Sequence, residues 1–257
     1  MGQGPIALLK HGLAEHLRTV GCTVDVASVC LPQGLHAEAS ALIQLQRLTV
    51  PLIRNALERH SRPVLLSGNC GPAALSAMSA LAGIRSGIVW FDAHADFNTP
   101  ETSPSGYLDG MGLAILIGRC WRRLAEQLES FRPVPDTHVI QVGVRENDPP
   151  EIELLNQSNI RRIACSEISN LSTALQQLRR ETVYVHVDVD VLDVSEGRAN
   201  DWACSGGLSV NQLCDALGLI GRSVPISVGA VTCYDPAVDA DGRIGAAIPR
   251  IVELLAR

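Results

Sequence analysis

Short apolar, β-branched runs alternate along the chain with segments of helical length. The runs at residues 64–66, 87–91, 138–142, 182–187 and 224–231 read as strands. They are nearly continuous in apolar character, which suits a sheet covered on both faces. Helices are expected over 6–20, 37–60, 72–82, 209–219 and 246–256. Strands alternating with helices predict a parallel α/β sheet. No internal repeat or low-complexity linker divides the chain. Arg132-Pro133-Val134-Pro135-Asp136 reads as a loop between two αβ units, so residues 1–257 are expected to form one domain.

Composition narrows the class. Apolar residues make up 46% of the chain, enough for a large core without disulfide staples. The net charge is −6 with no basic run, which argues against a nucleic-acid partner. No apolar stretch approaches the ~18 residues of a membrane span, and residues 1–10 lack a signal-peptide pattern. The eight cysteines are scattered without a CxxC pair, as expected of reduced thiols in a cytoplasmic protein.

In open α/β sheets, ligands bind beyond the carboxyl ends of the strands. Three polar segments fall there. Asp92-Ala93-His94-Ala95-Asp96 follows the strand ending at Phe91. In extended chain Asp92, His94 and Asp96 point the same way, giving two carboxylates and an imidazole on one side. That set suits an oxygen- and nitrogen-binding divalent metal. As a solvated acidic loop it fits poorly, because such groups after a buried strand cost several kcal/mol, about 2–7 each, if left unpaired. Asp188-Val189-Asp190, with Asp193 close behind, follows the strand at 182–187. Alone it would equally read as a helix or turn cap. Together the two clusters crowd four aspartates at one rim, which requires cations and offers ligands for two metals. Third, Ser67-Gly68-Asn69-Cys70-Gly71-Pro72 ends the strand at 64–66. Pro72 is expected at the first helical position, placing Cys70 at a helix N-terminus that favours thiolate. A small buried cysteine is the plainer reading of Cys70 taken alone. His186 lines a strand and reads as a hydrogen-bonded structural histidine.

The run DAHADFNTP at 92–100 closely resembles the metal motif of the arginase (ureohydrolase) family. HVDVDVLD at 186–193 resembles its second metal motif, SGYLDG at 105–110 its substrate loop, and GVREND at 143–148 the segment holding an α-amino group. Gly206-Gly207-Leu208-Ser209 and Tyr234-Asp235-Pro236 follow in family order. The similarity runs from about Gly4 to the C-terminus, with the family's first strand expected before Gly2. The resemblance implies a three-layer α/β/α fold, a mostly parallel sheet of about eight strands, and two Mn²⁺ ions. Cys70, Asp92, Asp96 and Asp190 would face one ion. Asp92, His94, Asp188 and Asp190 would face the other, with Asp92 and Asp190 bridging. Asp96 would also relay a proton to the leaving amine. Asn98 and Ser105, with Thr102 nearby, would receive an α-carboxylate, and Asp148, with Glu151, an α-amino group. The implied substrate is a small α-amino acid with a guanidino-type tail. The family's C-terminal trimerisation tail has no counterpart, so a monomer is expected, with a weak dimer as second choice.

Three departures bear on that substrate. Cys70 stands where the family motif Gly-Gly-Asp-His-Ser has its histidine, a soft donor in place of a borderline one. Asp109 replaces the histidine of Ser-Gly-Asn-Leu-His-Gly, and Tyr107 replaces the asparagine. Asp109 is the remaining acid/base candidate there, though an ordinary aspartate is ionised at neutral pH. The carboxylate that pairs with the guanidinium falls at Cys233. Losing it disfavours a fully charged guanidinium, and the three departures together suggest a substrate other than arginine. They resemble those of an arginase relative acting on Nω-hydroxy-L-arginine, whose hydroxyguanidine is less basic, and that resemblance implies this substrate. Another ureohydrolase substrate and a metal-binding pseudoenzyme are the competing expectations.

Overall fold

The computed structural model describes residues 1–31 and 37–257. In chain order its elements are helices α1 (Gly4–Lys10), α2 (Leu13–Thr19) and α3 (Glu38–Glu58), strand β1 (Val64–Ser67), α4 (Cys70–Ala80), β2 (Ser86–Phe91), and the short α5 (Gly112–Leu116) and α6 (Arg122–Ala125). Then come β3 (Val139–Val142), α7 (Pro149–Asn156), β4 (Arg161–Ile163), α8 (Leu171–Leu178), β5 (Thr182–Asp188), α9 (Val210–Ser223), β6 (Ile226–Thr232) and α10 (Arg243–Ala256). The strands form one sheet in the order β1-β6-β5-β2-β3-β4, with every pairing parallel.

Alternation along each strand divides the core in two. Val89, Phe91, Val183, Val185 and Val187 point to a layer containing α8, α9 and α10. Ile88, Trp90, Tyr184 and Val228 point to the opposite layer containing α3, α4 and α5. This is the expected three-layer α/β/α architecture, with six strands in place of about eight. The strand missed by pattern, β4, is three residues long, and two of them are exposed arginines at the sheet edge. The expected helix at 6–20 is two helices, because Gly12 adopts a left-handed conformation (φ +87°) between them. The helix expected from Pro72 begins at Cys70, so Pro72 is its third residue.

The strand order places the site. From β2 the chain winds outward through β3 and β4; from β5 it winds the other way to β6. The crevice at that reversal lies between the carboxyl ends of β2 and β5, where a ligand is expected. Asp92 directly follows β2 and Asp188 ends β5.

Ser209 caps α9: its hydroxyl accepts from Gln212 N at 3.1 Å, and the Gln212 side chain accepts from Ser209 N at 2.8 Å. Removing such a cap costs about 1 kcal/mol, a shift of roughly 2–4 °C at this chain length. Ser209→Ala should therefore lower the thermal midpoint by about that much, measured by calorimetry, while leaving the site intact.

Candidate metal and substrate site

The candidate ligands meet at the crevice. Asp92, Asp188 and Asp190 are almost fully buried. Asp92 Oδ2 accepts from the indole of Trp90 at 3.0 Å, and Oδ1 accepts from His94 N at 2.7 Å. Asp188 Oδ1 accepts from Asp190 N at 2.9 Å, and Asp190 Oδ1 accepts from Ala93 N at 3.2 Å. The backbone turns after β2 and β5 thus aim the carboxylates, as a two-residue acidic spacing does at a strand end. His94 Nδ1 lies 3.5 Å from Asp92 Oδ1 and 3.4 Å from Asp190 Oδ2. On the other side Cys70 Sγ, at the first residue of α4, lies 3.1 Å from Asp188 Oδ2.

The ligand atoms of Asp92, His94 and Asp190 form one close group, and those of Cys70, Asp188 and Cys233 form another. The resemblance has Asp190 bridging both sets and Asp188 in the set with His94; in the structure Cys70 Sγ lies 3.1 Å from Asp188 Oδ2, and His94 Nδ1 lies 3.4 Å from Asp190 Oδ2. Asp92 reaches toward both groups, since it also gathers with Cys70 and His186.

The electrostatics are those of anions held together at a cost. Burial, then the nearby Asp190, pushes Asp92 up to about 6. Burial also raises Asp188 and Asp96 above the usual carboxylate range, with neighbouring carboxylates adding to it. Burial pulls the His94 ring down, but its contacts with Asp190 and Asp92 outweigh this and push it up to about 12. Asp190 is held below its ordinary value because His94 and its hydrogen bonds overcome burial. Asp96 Oδ2 is buried without a hydrogen-bond partner among the described residues. Its residue takes a left-handed conformation (φ +50°), which lets its carbonyl accept from Leu113 N and Ala114 N at the start of α5. A clustered set of buried carboxylates with an orphaned oxygen is the setting a divalent cation satisfies. The donor set of four carboxylates, one imidazole and one thiol fits a pair of such ions, the carboxylates suiting manganese and the thiol a softer ion.

The substrate-loop residues line one cavity of about 340 Å³ with Cys70, Asp96 and Asp188. Asn98 Nδ2 donates to Asp148 Oδ2 at 2.9 Å, and the Thr102 hydroxyl donates to Asn98 Oδ1 at 2.9 Å. Ser105 is exposed at the mouth, where its hydroxyl accepts from Tyr107 N at 3.2 Å. Asp148 and Glu151 form the capping box of α7, and Glu151 also accepts from Phe97 N at 2.8 Å. Both Glu151 oxygens are therefore held by backbone donors, which tie α7 to the metal-motif loop.

Asp109 has a use its sequence position does not reveal. Its Oδ1 accepts from Gly71 N at 2.8 Å, and its Oδ2 accepts from Cys70 N at 3.0 Å and Asn69 Nδ2 at 2.9 Å. It caps the first turn of α4 from a distant loop, where a carboxylate stabilises the exposed N–H groups. Burial raises it, while these donors pull the other way.

Sequence reasoning missed several residues. Asn200 Nδ2 donates to Asp190 Oδ2 at 3.2 Å and to the Cys233 carbonyl at 3.0 Å. Nothing in the local sequence marks it. Trp90 lies two residues before Asp92 on the same strand face, and that period was readable. Cys233, in a left-handed conformation (φ +62°), sets its Sγ 3.5 Å from Cys70 Sγ. His186 is buried, stacked on Trp90 at 3.7 Å and hydrogen-bonded to Tyr184 and Thr232, as a structural histidine. Burial lowers its pKa to about 3.

Fold and site together define a parallel α/β protein with an acidic metal-binding centre at the switch point of its sheet. Comparison with known proteins gives the family. The arginase family model matches residues 11–255, and the chain belongs to that family, the metal-dependent hydrolases of amidine C–N bonds. The arginase of Staphylococcus aureus (strain COL) is 28% identical over 260 residues, covering 93% of this chain and 85% of that protein. The arginase of Bacillus caldovelox is 25% identical, covering 92% and 85%. The crystal structure of arginase from Bacillus subtilis subsp. subtilis str. 168 superposes with a TM-score of 0.89 at 24% identity, over 99% of this chain and 91% of that one. Formimidoylglutamase from the same organism shares the fold alone, with a TM-score of 0.71 at 18% identity, over 95% and 79%.

The buried carboxylates fix the sign of a pH effect. Folded Asp92 titrates above its unfolded value of about 3.9 and folded His94 above about 6.5. Each favours folding when protonated, so that contribution is complete at low pH and lost as pH rises. Metal-free protein should lose thermal stability as pH rises from about 4 through 6, where Asp92 ionises, and again as pH rises above about 6.5, where His94 begins to forfeit its share. Adding divalent metal at neutral pH should restore it, by about 2.7 kcal/mol at 100-fold excess over Kd. Melting curves with and without chelator check both.

Proposed function

We propose that this protein hydrolyses Nω-hydroxy-L-arginine to L-ornithine and hydroxyurea with two bound Mn²⁺ ions. The observation that carries this reading is the altered guanidinium end of an otherwise complete site. Cys233 lies beside Cys70 where a family member would present a carboxylate to the guanidinium. A weaker, uncharged partner suits a tail of lower basicity, and the hydroxyl adds a hydrogen-bonding handle. This combination resembles the hydroxyarginine amidinohydrolase of D-cycloserine biosynthesis, so antibiotic synthesis is the proposed setting. All eight cysteines are free thiols, which suits a reducing, cytoplasmic compartment.

Asp92, His94 and Asp190 would hold one ion, and Cys70 and Asp188 the other, with Asp92 and Asp96 within reach. When bound, the ions supply Lewis-acid polarisation and a water activated near neutral pH. Asp96, which lines the cavity with Cys70 and Asp188, would hold a proton and pass it to the departing ornithine nitrogen. Asn98 and Ser105 receive the α-carboxylate and Asp148 the α-amino group, with Thr102 and Glu151 holding those groups in place. Asp109 acts by fixing the α4 N-terminus and hence Cys70.

Ornithine and hydroxyurea released in equal amounts from Nω-hydroxy-L-arginine, without comparable release from L-arginine, is the expected outcome with manganese-loaded protein. Comparable turnover of arginine would overturn the substrate assignment; turnover of neither would overturn the reaction. Asp96→Asn should lower kcat by about 10³-fold, the middle of the range for a proton-transfer group. Its circular dichroism should match the parent, and an active Asp96→Asn enzyme removes Asp96 from the mechanism.

A further inference from the structure

Tyr107 stands on the cavity wall with its ring held from both ends. Its phenol oxygen accepts from Asn69 Nδ2 at 2.7 Å. The same nitrogen donates to Asp109 Oδ2 at 2.9 Å. A carboxylate only accepts, so this pairing fixes the orientation of the Asn69 amide and makes it the donor to Tyr107. The ring lies parallel to that of Trp202, with centroids 6.1 Å apart and planes 11° off parallel. Trp202 is itself anchored, since its backbone N–H donates to Asn200 Oδ1 at 2.9 Å and Asn200 donates to Asp190.

The phenol proton is left over. Among the described residues no acceptor lies within hydrogen-bond distance of it, and burial next to Asp109 keeps the group protonated. It sits toward the Cys70 end of the cavity: Asn69 precedes Cys70, and the Asp109 oxygen it shares lies 3.0 Å from Cys70 N and 4.0 Å from Cys233 Sγ. Cys70 and Cys233 mark the end at which the proposed reading puts the substrate's tail.

We propose that the Tyr107 hydroxyl is a specificity-determining residue that donates a hydrogen bond to the N-hydroxyl oxygen of a hydroxyguanidino amino acid. The proposal rests on the hydroxyguanidine reading of the site and adds the group that recognises the hydroxyl. A prearranged donor discriminates against an analogue lacking its acceptor, because an apolar group in the acceptor's place would leave the donor unpaired. Tyr107→Phe keeps the ring against Trp202 and removes only this donor.

The test compares parent and Tyr107→Phe with Nω-hydroxy-L-arginine as substrate and L-arginine as competitive inhibitor. The expected result is a loss of about tenfold in kcat/KM for the hydroxylated substrate, the size of one hydrogen bond between uncharged groups, with the Ki of arginine within twofold of the parent. Equal losses for both ligands would make Tyr107 a merely structural residue and overturn the proposal, as would no loss for either. A second arm uses only the parent enzyme, so it holds even if the variant fails to fold. Nω-methyl-L-arginine puts a group without an acceptor in the hydroxyl's place and should inhibit no better than arginine. Inhibition matching the affinity of the hydroxylated substrate overturns the proposal. Failure of the parent to release ornithine from hydroxyarginine is a separate result, and it overturns the underlying reading instead.

Discussion

Three aspartates buried together at the ends of two adjacent parallel strands set the terms for the rest of the molecule. Asp92, Asp188 and Asp190 sit where β2 and β5 end, with their neighbours' charges raising or lowering each in turn. Such a group survives burial only when its oxygens are supplied with donors or cations. The protein supplies both kinds. Backbone N–H groups from the turns after the strands take some oxygens, and the Trp90 indole and the Asn200 amide take others. His94 is the base ion-paired to them among the described residues, and the remaining deficit is what a pair of divalent ions fills.

Local structure around the cluster is bent to serve it. Asp96 and Cys233 both adopt left-handed backbone conformations that cost most residues free energy. At Asp96 the turn delivers a carbonyl to the start of α5 while leaving one carboxylate oxygen buried and unpaired. At Cys233 it follows β6 and sets a thiol against Cys70. Glu151 and Asp109 work at one remove. Glu151 joins α7 to the loop carrying Asn98, and Asp109 joins the substrate loop to the N-terminus of α4. A loop that normally carries an acid/base group has here become a cap for the helix that presents Cys70.

Cys233 and Tyr107 set the chemistry of one wall of the cavity. A buried thiol at Cys233 offers neither the negative charge nor the paired acceptors of a carboxylate, so a guanidinium gains less there. Tyr107, held by Asn69 and Trp202, presents a protonated hydroxyl on the same wall. Elsewhere on the cavity wall Asn98 donates to Asp148.

The sequence by itself determined the parallel α/β class, because strands buried on both faces must be apolar throughout and that pattern is local. It also set Asp92 with His94 and Asp188 with Asp190, because two-residue spacing after a buried strand puts both side chains of a pair on one face; that the two pairs meet follows from β2 lying beside β5. It located the helix at α9 through the Ser209 cap. The break at Gly12 and the three-residue edge strand β4 escaped because left-handed backbone and edge pairing leave little periodic trace. Only the tertiary structure decided which aspartate faces Cys70, since that depends on the register of β5 against β6 and on the placement of α4. The Cys70–Cys233 contact, the Asn200 bond and the Asp109 cap join residues 163, 10 and 39 positions apart along the chain. Contacts between separate loops are set by how the sheet brings strand ends together, and no spacing along one segment encodes that.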